Sequence, residues 1–113
     1  LAECVVETQE DIAANGLIAP IVGHAGDGNF HVLILLDTDV PAEIQAAEDF
    51  VGRLNARALA MDGTCTGEHG IGQGKRPYLP LELGESVSVM RQIKQALDPM
   101  NIMNPGKLFS FEA

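Results

Sequence analysis

The clearest pattern in the first third of the chain is a pair of apolar runs separated by a short polar stretch. The runs cover residues 18–24 and 30–36, and the stretch between them contains Asp27-Gly28. Asp-Gly between two such runs predicts a β-hairpin, because a type I′ turn needs positive φ at both central residues. The second run is apolar at nearly every position, which predicts a strand covered on both faces.

The predicted turn determines which residues of the hairpin face each other. Counting outward from Asp-Gly places His24 directly opposite His31. Directly opposite residues share one face of a sheet, with Cβ atoms roughly 4.5–5.5 Å apart. Two imidazoles at that separation can converge on one ion, and the simpler alternative is two unrelated histidines near a turn.

Apolar residues at three- and four-residue steps predict three helices, over residues 1–15, 41–61 and 84–97. A short helical turn is predicted over 77–83 and a short strand over 64–66. The middle helix has the clearest apolar face: Ile44, Ala47, Phe50, Val51, Leu54, Ala58 and Met61.

The resulting order is α-β-β-α-β-α, which predicts an α+β fold. It corresponds to a split β-α-β arrangement of the ferredoxin-like kind that lacks its first strand, with helices on one face of an incomplete antiparallel sheet. The chain opens at Leu1, without Met and already inside a helical pattern, so we expect a fragment of a larger protein. An incomplete sheet exposes strand edges, which predicts marginal stability alone or a homodimer through the exposed sheet edge.

Composition narrows the class of protein. The chain has 113 residues, enough for one modest core, and 16 acidic against 7 basic residues give a net charge of −9. This balance argues against nucleic acid and anionic membrane surfaces as partners. There is no apolar run of about 20 residues and no secretory signal. Two cysteines without metal-type spacing predict thiols in a reducing compartment, hence a cytoplasmic location.

A glycine-studded loop over residues 67–75 contains the third histidine. Its glycines do not fit a phosphate-binding P-loop ending at Gly74-Lys75, because the required first glycine is His69. A dinucleotide-binding fingerprint also fails. What remains is the pair Glu68-His69 between two glycines, which is either a solvated surface turn or part of a site.

Two imidazoles and one carboxylate form the ligand set of catalytic zinc and of several open first-row metal sites. His24, His31 and Glu68 supply that set, and a missing fourth protein ligand leaves room for substrate. His69, next to the ligand Glu68, is then a candidate general base. The residues alone leave open a metal-dependent hydrolase and a non-enzymatic ferredoxin-like module that binds metal or dimerises.

Three motifs in order give the chain a family resemblance. They are His-Ala-Gly-Asp-Gly-Asn-Phe-His at 24–31, Gly-Glu-His-Gly-Ile-Gly at 67–72 and Asn-Ile-Met-Asn-Pro-Gly-Lys at 101–107. Over residues 18–109 the chain resembles the C-terminal part of FAD-linked 2-hydroxy-acid oxidoreductases. This group of vanillyl-alcohol-oxidase-like flavoproteins includes D-lactate dehydrogenases, the glycolate oxidase flavin subunit and D-2-hydroxyglutarate dehydrogenase.

The resemblance implies a domain organisation. Residues 1–113 correspond to part of a C-terminal cap domain, with 98–113 as a tail that returns towards the flavin. The FAD-binding domain lies upstream in such proteins and is absent from this sequence. A longer protein of this kind is expected in the cytoplasm, with peripheral attachment to a membrane as an option.

The resemblance also implies roles for individual residues. The positions matching His24, His31 and Glu68 bind a divalent metal (Zn, Mn or Fe), and the position matching His69 takes the substrate hydroxyl proton. The position matching Asn104 lies near the isoalloxazine of FAD. The implied reaction oxidises a small 2-hydroxy acid such as D-lactate, glycolate or D-2-hydroxyglutarate to the 2-oxo acid.

Overall fold

The computed structural model describes residues 1–111, so positions 112 and 113 of the predicted tail lie outside the described residues. Within them the chain contains four α-helices and one two-stranded antiparallel sheet, which confirms the predicted α+β class. It divides into two compact units, Leu1–Gly67 and a second that begins at Glu68. None of the helices in the described part is both long and apolar enough to cross a membrane.

The two helices of the first unit begin and end within one residue of their predicted bounds. Helix α1 covers Ala2–Ala14, and α2 covers Pro41–Ala60. Proline suits the first position of α2 because the amide hydrogen it lacks has no partner within the helix there. Phe50, on the predicted apolar face of α2, is fully buried.

Helices α1 and α2 are joined by a network of charged groups around Asp11. Arg53 donates from Nη2 to Asp11 Oδ1 at 2.8 Å, and Arg57 donates from Nη2 to Asp11 Oδ2 at 2.9 Å. The hydrogen bonds from Arg53, with that from Arg57, hold the pKa of the Asp11 carboxyl below its ordinary value, although burial opposes them. Arg57 also donates to the buried Thr8 hydroxyl at 3.0 Å, so the network fixes the α1–α2 pair.

The hairpin is present, but its turn is longer than predicted. Strand β1 covers Ile21–His24 and β2 covers Asn29–Val32. A single turn of 3₁₀ helix, Ala25–Asp27, joins them and ends at Gly28 with φ +70°. A type I′ turn needs positive φ at Asp27 as well, and only Gly28 adopts it, so four residues rather than two form the loop.

This longer loop changes the register of the hairpin. His24 pairs with Asn29, and His31 pairs with Val22, so the predicted direct pairing of His24 with His31 is wrong. Ladder hydrogen bonds extend the pairing beyond the strands, because Leu33 N–H donates to Pro20 C=O and Leu35 N–H donates to Ile18 C=O, both at 2.9 Å.

The predicted burial of the second strand on both faces is also wrong. Alternate residues of a strand point to opposite faces, and here only one face is covered. Ala19 is buried on that face, whereas the other face exposes four large apolar side chains: Ile18, Val22, Leu33 and Leu35.

The strand predicted over 64–66 is not formed, so within residues 1–111 the sheet consists of β1 and β2 alone. The Thr66 amide donates instead to the Thr64 hydroxyl at 3.4 Å. Such local side-chain bonds satisfy backbone groups without a neighbouring strand and compete with sheet formation. The segment therefore crosses as an irregular connection between α2 and Gly67.

The second unit contains the short helical turn and the third long helix that were predicted. A 3₁₀ turn, Arg76–Tyr78, leads into α3, Leu79–Leu83, and α4 covers Ser86–Leu97. The tail that follows is irregular, as predicted.

Side chains and backbone groups attach this tail to the rest of the second unit. Arg76 Nη1 donates to Gly106 C=O at 3.1 Å, and Leu108 N–H donates to Gly72 C=O at 2.8 Å. The Arg91 guanidinium lies 5.4 Å above the ring centre of the buried Phe109. Such a cation–π contact adds to the burial of the ring.

Candidate metal centre and active site

His24 and His31 lie together although they are not a directly opposed pair. The observed register differs from the predicted one by two residues, and an even shift leaves every side chain on the same face of the sheet. The two imidazoles are therefore diagonal neighbours, with ring centres 6.1 Å apart and ring planes perpendicular. His24 is exposed and His31 is half-buried.

The glycine-studded loop approaches this face of the hairpin at Gly67. A Cβ atom built on Gly67 would lie 2.2 Å from Oδ1 and 2.5 Å from Cγ of Asn29. No side chain fits at that distance, so the backbone of Gly67 packs directly on the Asn29 amide. Asn29 is the residue paired with His24, and the contact therefore brings this part of the chain to the histidine face.

The three metal ligands suggested by the sequence come together. His24, His31 and Glu68 each offer one ligand atom, and these atoms all lie within 4.8 Å of one another. Ligands around a single Zn²⁺ ion lie about 3.4 Å apart, given bond lengths near 2.1 Å and tetrahedral angles. Closing this difference requires rotation of side chains, and two of the three, Glu68 and His24, are exposed. The donor types and spacing fit one divalent ion.

His69 is in contact with the adjacent carboxylate. Its Nε2 lies 3.1 Å from Oε1 of Glu68, and its side chain is 73% exposed. If Nε2 carries the hydrogen and donates to Glu68, the lone pair of the neutral ring is on Nδ1. In that tautomer His69 has the form of a base presented to solvent.

Asn104 belongs to the tail of the second unit and is exposed, with φ +47°. The turn before it is organised by Asp98, whose side chain is almost fully buried. Asp98 Oδ1 accepts from Ile102 N–H at 3.0 Å and Oδ2 accepts from Met103 N–H at 2.9 Å. Lys94 donates to both Asp98 Oδ2 and Met103 C=O.

The charge of Asp98 is stabilised by these partners. The hydrogen bond from Lys94, followed by those from the Met103 and Ile102 amides, lowers the pKa of the Asp98 carboxyl, although burial opposes the shift. The ionised carboxylate therefore fixes the backbone from which Asn104 extends.

Sequence reasoning found the ligand candidates but missed the residues that hold them. Asn29 lies inside the predicted hairpin motif, and a glycine directly before Glu68 was the available sign of a close backbone approach. From the sequence, Asp98 was considered only as the residue that follows the helix predicted over 84–97. The signal for its role was a helix-end acid four residues after Lys94.

Comparison with known proteins identifies the family. Residues 1–108 match the family described as "FAD linked oxidases, C-terminal domain". The chain is 54% identical over 109 residues (96% of the chain, 22% of the relative) to a protein of Danio rerio named "Probable D-lactate dehydrogenase, mitochondrial".

Two further relatives are named after other 2-hydroxy acids. "Glycolate oxidase subunit GlcD" of Bacillus subtilis is 40% identical over 111 residues (96% of the chain, 24% of the relative). "D-2-hydroxyglutarate dehydrogenase" of Xanthomonas citri pv. viticola is 47% identical over 90 residues (77% and 19%). The chain thus spans about a fifth to a quarter of the length of these relatives. It belongs to the FAD-linked oxidases, whose C-terminal domain it matches over nearly its whole length.

Proposed function

We propose that this chain is the metal-binding, catalytic C-terminal part of a flavoenzyme that oxidises a 2-hydroxy acid to a 2-oxo acid. The observation that carries the proposal is the convergence of ligand atoms from His24, His31 and Glu68 within 4.8 Å, with His69 directly beside them. The names of the relatives supply the substrate class, which is D-lactate, glycolate or D-2-hydroxyglutarate.

His24, His31 and Glu68 would hold a divalent ion such as Zn, Mn or Fe. Three protein ligands leave a coordination position open, which is typical of catalytic rather than structural sites. When bound, such an ion supplies positive charge that makes a neighbouring hydroxyl a stronger acid. The imidazoles would bind such an ion through the lone pair of a ring nitrogen.

His69 would remove the hydroxyl proton of the substrate. Oxidation of a 2-hydroxy acid takes a proton from the hydroxyl oxygen and a hydride from C2, and leaves a carbonyl group. The proton goes to Nδ1 of His69, and the contact of Nε2 with Glu68 stabilises the cation that forms. The exposed ring can then pass the proton to solvent.

FAD, bound mainly by a part of the protein outside this chain, supplies the acceptor for the hydride. Asn104 would contact the isoalloxazine. This role is supported by the exposed position of Asn104 directly after the turn that Asp98 and Lys94 fix. Its amide offers both a donor and an acceptor to ring nitrogens and carbonyl groups.

A hydrolase and a non-enzymatic module use the same ligand set, and no other observation favours them over an oxidoreductase. The homodimer through the sheet edge and the docking of an upstream FAD domain stay predictions, supported by the four exposed apolar side chains of the hairpin face. Exclusion of nucleic acid stays an expectation from the charge of −9. The cytoplasmic location is a prediction that competes with the mitochondrial names of four relatives.

The proposal is tested in a flavoprotein in which this chain replaces the matching segment of the Danio rerio relative. We expect anaerobic 2-hydroxy acid to bleach the flavin. His69→Ala should slow bleaching by about 10²- to 10⁴-fold, the usual contribution of a general base, while metal content is retained. His24→Ala and His31→Ala should instead lose the metal, measured by elemental analysis.

Glu85→Ala is the matched control for Glu68→Ala, because Glu85 is also an exposed acid but is not in the ligand group. Glu68→Ala should lose metal, and the control should retain it. Bleaching of the His69→Ala protein at the wild-type rate would contradict the assignment of the base. Metal content unaffected by loss of either hairpin histidine would contradict the site itself.

A further inference from the structure

The motif 24–31 contains a residue that the proposed chemistry does not use, Asn29. It pairs with His24 across the hairpin, and it lies on the same face as both histidines because residues 22, 24, 29 and 31 share that face. The side chain of Asn29 is half-buried, and its amide group fills the space into which a side chain at position 67 would extend. The structure therefore joins Asn29 to the segment that ends at Glu68.

We infer that Asn29 and Gly67 form a contact that positions Glu68 for metal binding, an inference that rests on the proposed metal site. Gly67 lies against the Asn29 amide, and a Cβ on Gly67 would come within 2.2 Å of Oδ1, 2.5 Å of Cγ and 3.0 Å of Nδ2. All three atoms belong to one amide group, so the amide as a whole fills the space that a side chain would need.

The contact acts on Glu68 through the chain itself. Consecutive Cα atoms are about 3.8 Å apart, so the position of Gly67 restricts where the Glu68 carboxylate can reach. A metal site accepts ligand distances only within about 0.2 Å of ideal values. A methyl group at position 67 must displace either the Gly67 backbone or the amide, because its Cβ would lie 2.2 Å from Oδ1.

Asn29 is therefore a positioning residue, and Gly67 is needed for its lack of a side chain. Removing the amide by Asn29→Ala takes away the surface on which Gly67 rests, whereas Gly67→Ala pushes the backbone off that surface. In the double variant, the added methyl group occupies part of the space that the amide leaves. The two changes should therefore be non-additive, as is expected for residues in contact.

The test measures binding of Zn²⁺ alone to the 113-residue chain, by competition with a chromophoric chelator. Each single variant should bind Zn²⁺ about 10- to 100-fold more weakly, the range found when groups that orient metal ligands are removed. The double variant should bind more tightly than Gly67→Ala. The melting temperature of the metal-free chain should change little in Asn29→Ala. If the role of Asn29 were merely structural, the substitution would lower the melting temperature together with the affinity for Zn²⁺.

Gly74→Ala is the matched control, because a Cβ there meets no atom within 4 Å and the residue has no positive φ. It should bind Zn²⁺ like the wild type. If Gly67→Ala fails to fold, Asn29→Ala alone decides the question. Wild-type affinity in both single variants, or no recovery in the double variant, would overturn the inference.

The same titrations separate this inference from the proposed function. If the wild-type chain does not bind Zn²⁺, or if His24→Ala and His31→Ala bind it unchanged, the metal site itself is wrong. If the histidine variants lose Zn²⁺ while the Asn29 and Gly67 variants keep it, the metal site stands and only the positioning role is wrong.

Discussion

The hairpin and the tail turn both present functional candidates, but different forces hold the two regions. In the hairpin, backbone hydrogen bonds from Ile18–Leu35 inward fix the strands, and the histidines extend from a face that is otherwise exposed. In the tail, no strand or helix is present around residues 98–104, and one buried carboxylate holds the turn. A ladder distributes its stability over many bonds, whereas the turn at 98–104 relies mainly on the Asp98 carboxylate and its partner Lys94.

The largest effect that follows is on the tail turn. Asp98→Ala removes the acceptor of two backbone amides and the partner of Lys94. Because no neighbouring ladder replaces those bonds, we expect hydrogen exchange at the Ile102 and Met103 amides to accelerate by about tenfold or more. Exchange is measured by NMR on the 113-residue chain.

Glu85→Ala removes the same charge from the same unit without removing an acceptor of these amides, and exchange at Ile102 and Met103 should stay at the wild-type rate. Leu33 and Leu35 of the hairpin serve as internal references. Equal protection of the tail amides in Asp98→Ala and wild type would show that the carboxylate does not hold the turn.

Lowering the pH, like Asp98→Ala, should weaken the tail turn more than the hairpin. The pKa of Asp98 is lower in the folded chain than its ordinary value of 3.8, because Lys94 and the two amides stabilise the ionised form. Its contribution to stability is therefore complete above about pH 4 and is lost as the pH falls through the lowered pKa. The hairpin bonds of Leu33 and Leu35 join backbone groups, which do not titrate.

We expect the Met103 amide shift to titrate with an apparent pKa below 3.8, and the Leu33 and Leu35 amides to shift less over the same range. A matching titration of Asp11 is expected in the first unit, where Arg53 and Arg57 lower its pKa. A tail titration at or above 3.8 would contradict the contact with Lys94.

The same comparison explains how far sequence reasoning succeeds. Helices α2 and α4 were predicted almost to the residue, because local periodicity and breakers such as Pro41 and Asp98-Pro99 determine them. The proximity of His24 and His31 was predicted for a reason that survives the wrong register. An error of two residues in pairing keeps His24 and His31 on one face, whereas an error of one would have separated them.

What could not be predicted depends on contacts between residues distant in sequence. The packing of Gly67 on Asn29 joins positions that are 38 residues apart in the sequence and leaves no periodic pattern. The missing strand at 64–66 depends on a competing bond to the Thr64 hydroxyl. The length of the turn depended on whether Asp27 adopts positive φ, which Asp tolerates but does not require.

The smallest expected effect tests that turn. Gly28 has φ +70°, a conformation that costs a residue with a Cβ about 1–2 kcal/mol. Gly28→Ala should therefore destabilise the hairpin by about 1 kcal/mol, measured by exchange at Leu33 and Leu35. Gly26→Ala is the control, since Gly26 has no positive φ and a Cβ there meets no atom within 4 Å.

A substitution of Asp27 distinguishes the four-residue loop from a two-residue turn more directly. In the four-residue loop the φ of Asp27 is not positive, so Asp27→Gly relieves no strain in the observed turn. The substitution should instead destabilise the hairpin, because glycine loses more conformational freedom on folding than aspartate. In a two-residue type I′ turn the same change relieves strain and should stabilise the hairpin. A stabilised Asp27→Gly variant with His24 directly opposite His31 would restore the shorter turn. A destabilised variant would support the diagonal arrangement of His24 and His31, on which the proposed metal site depends.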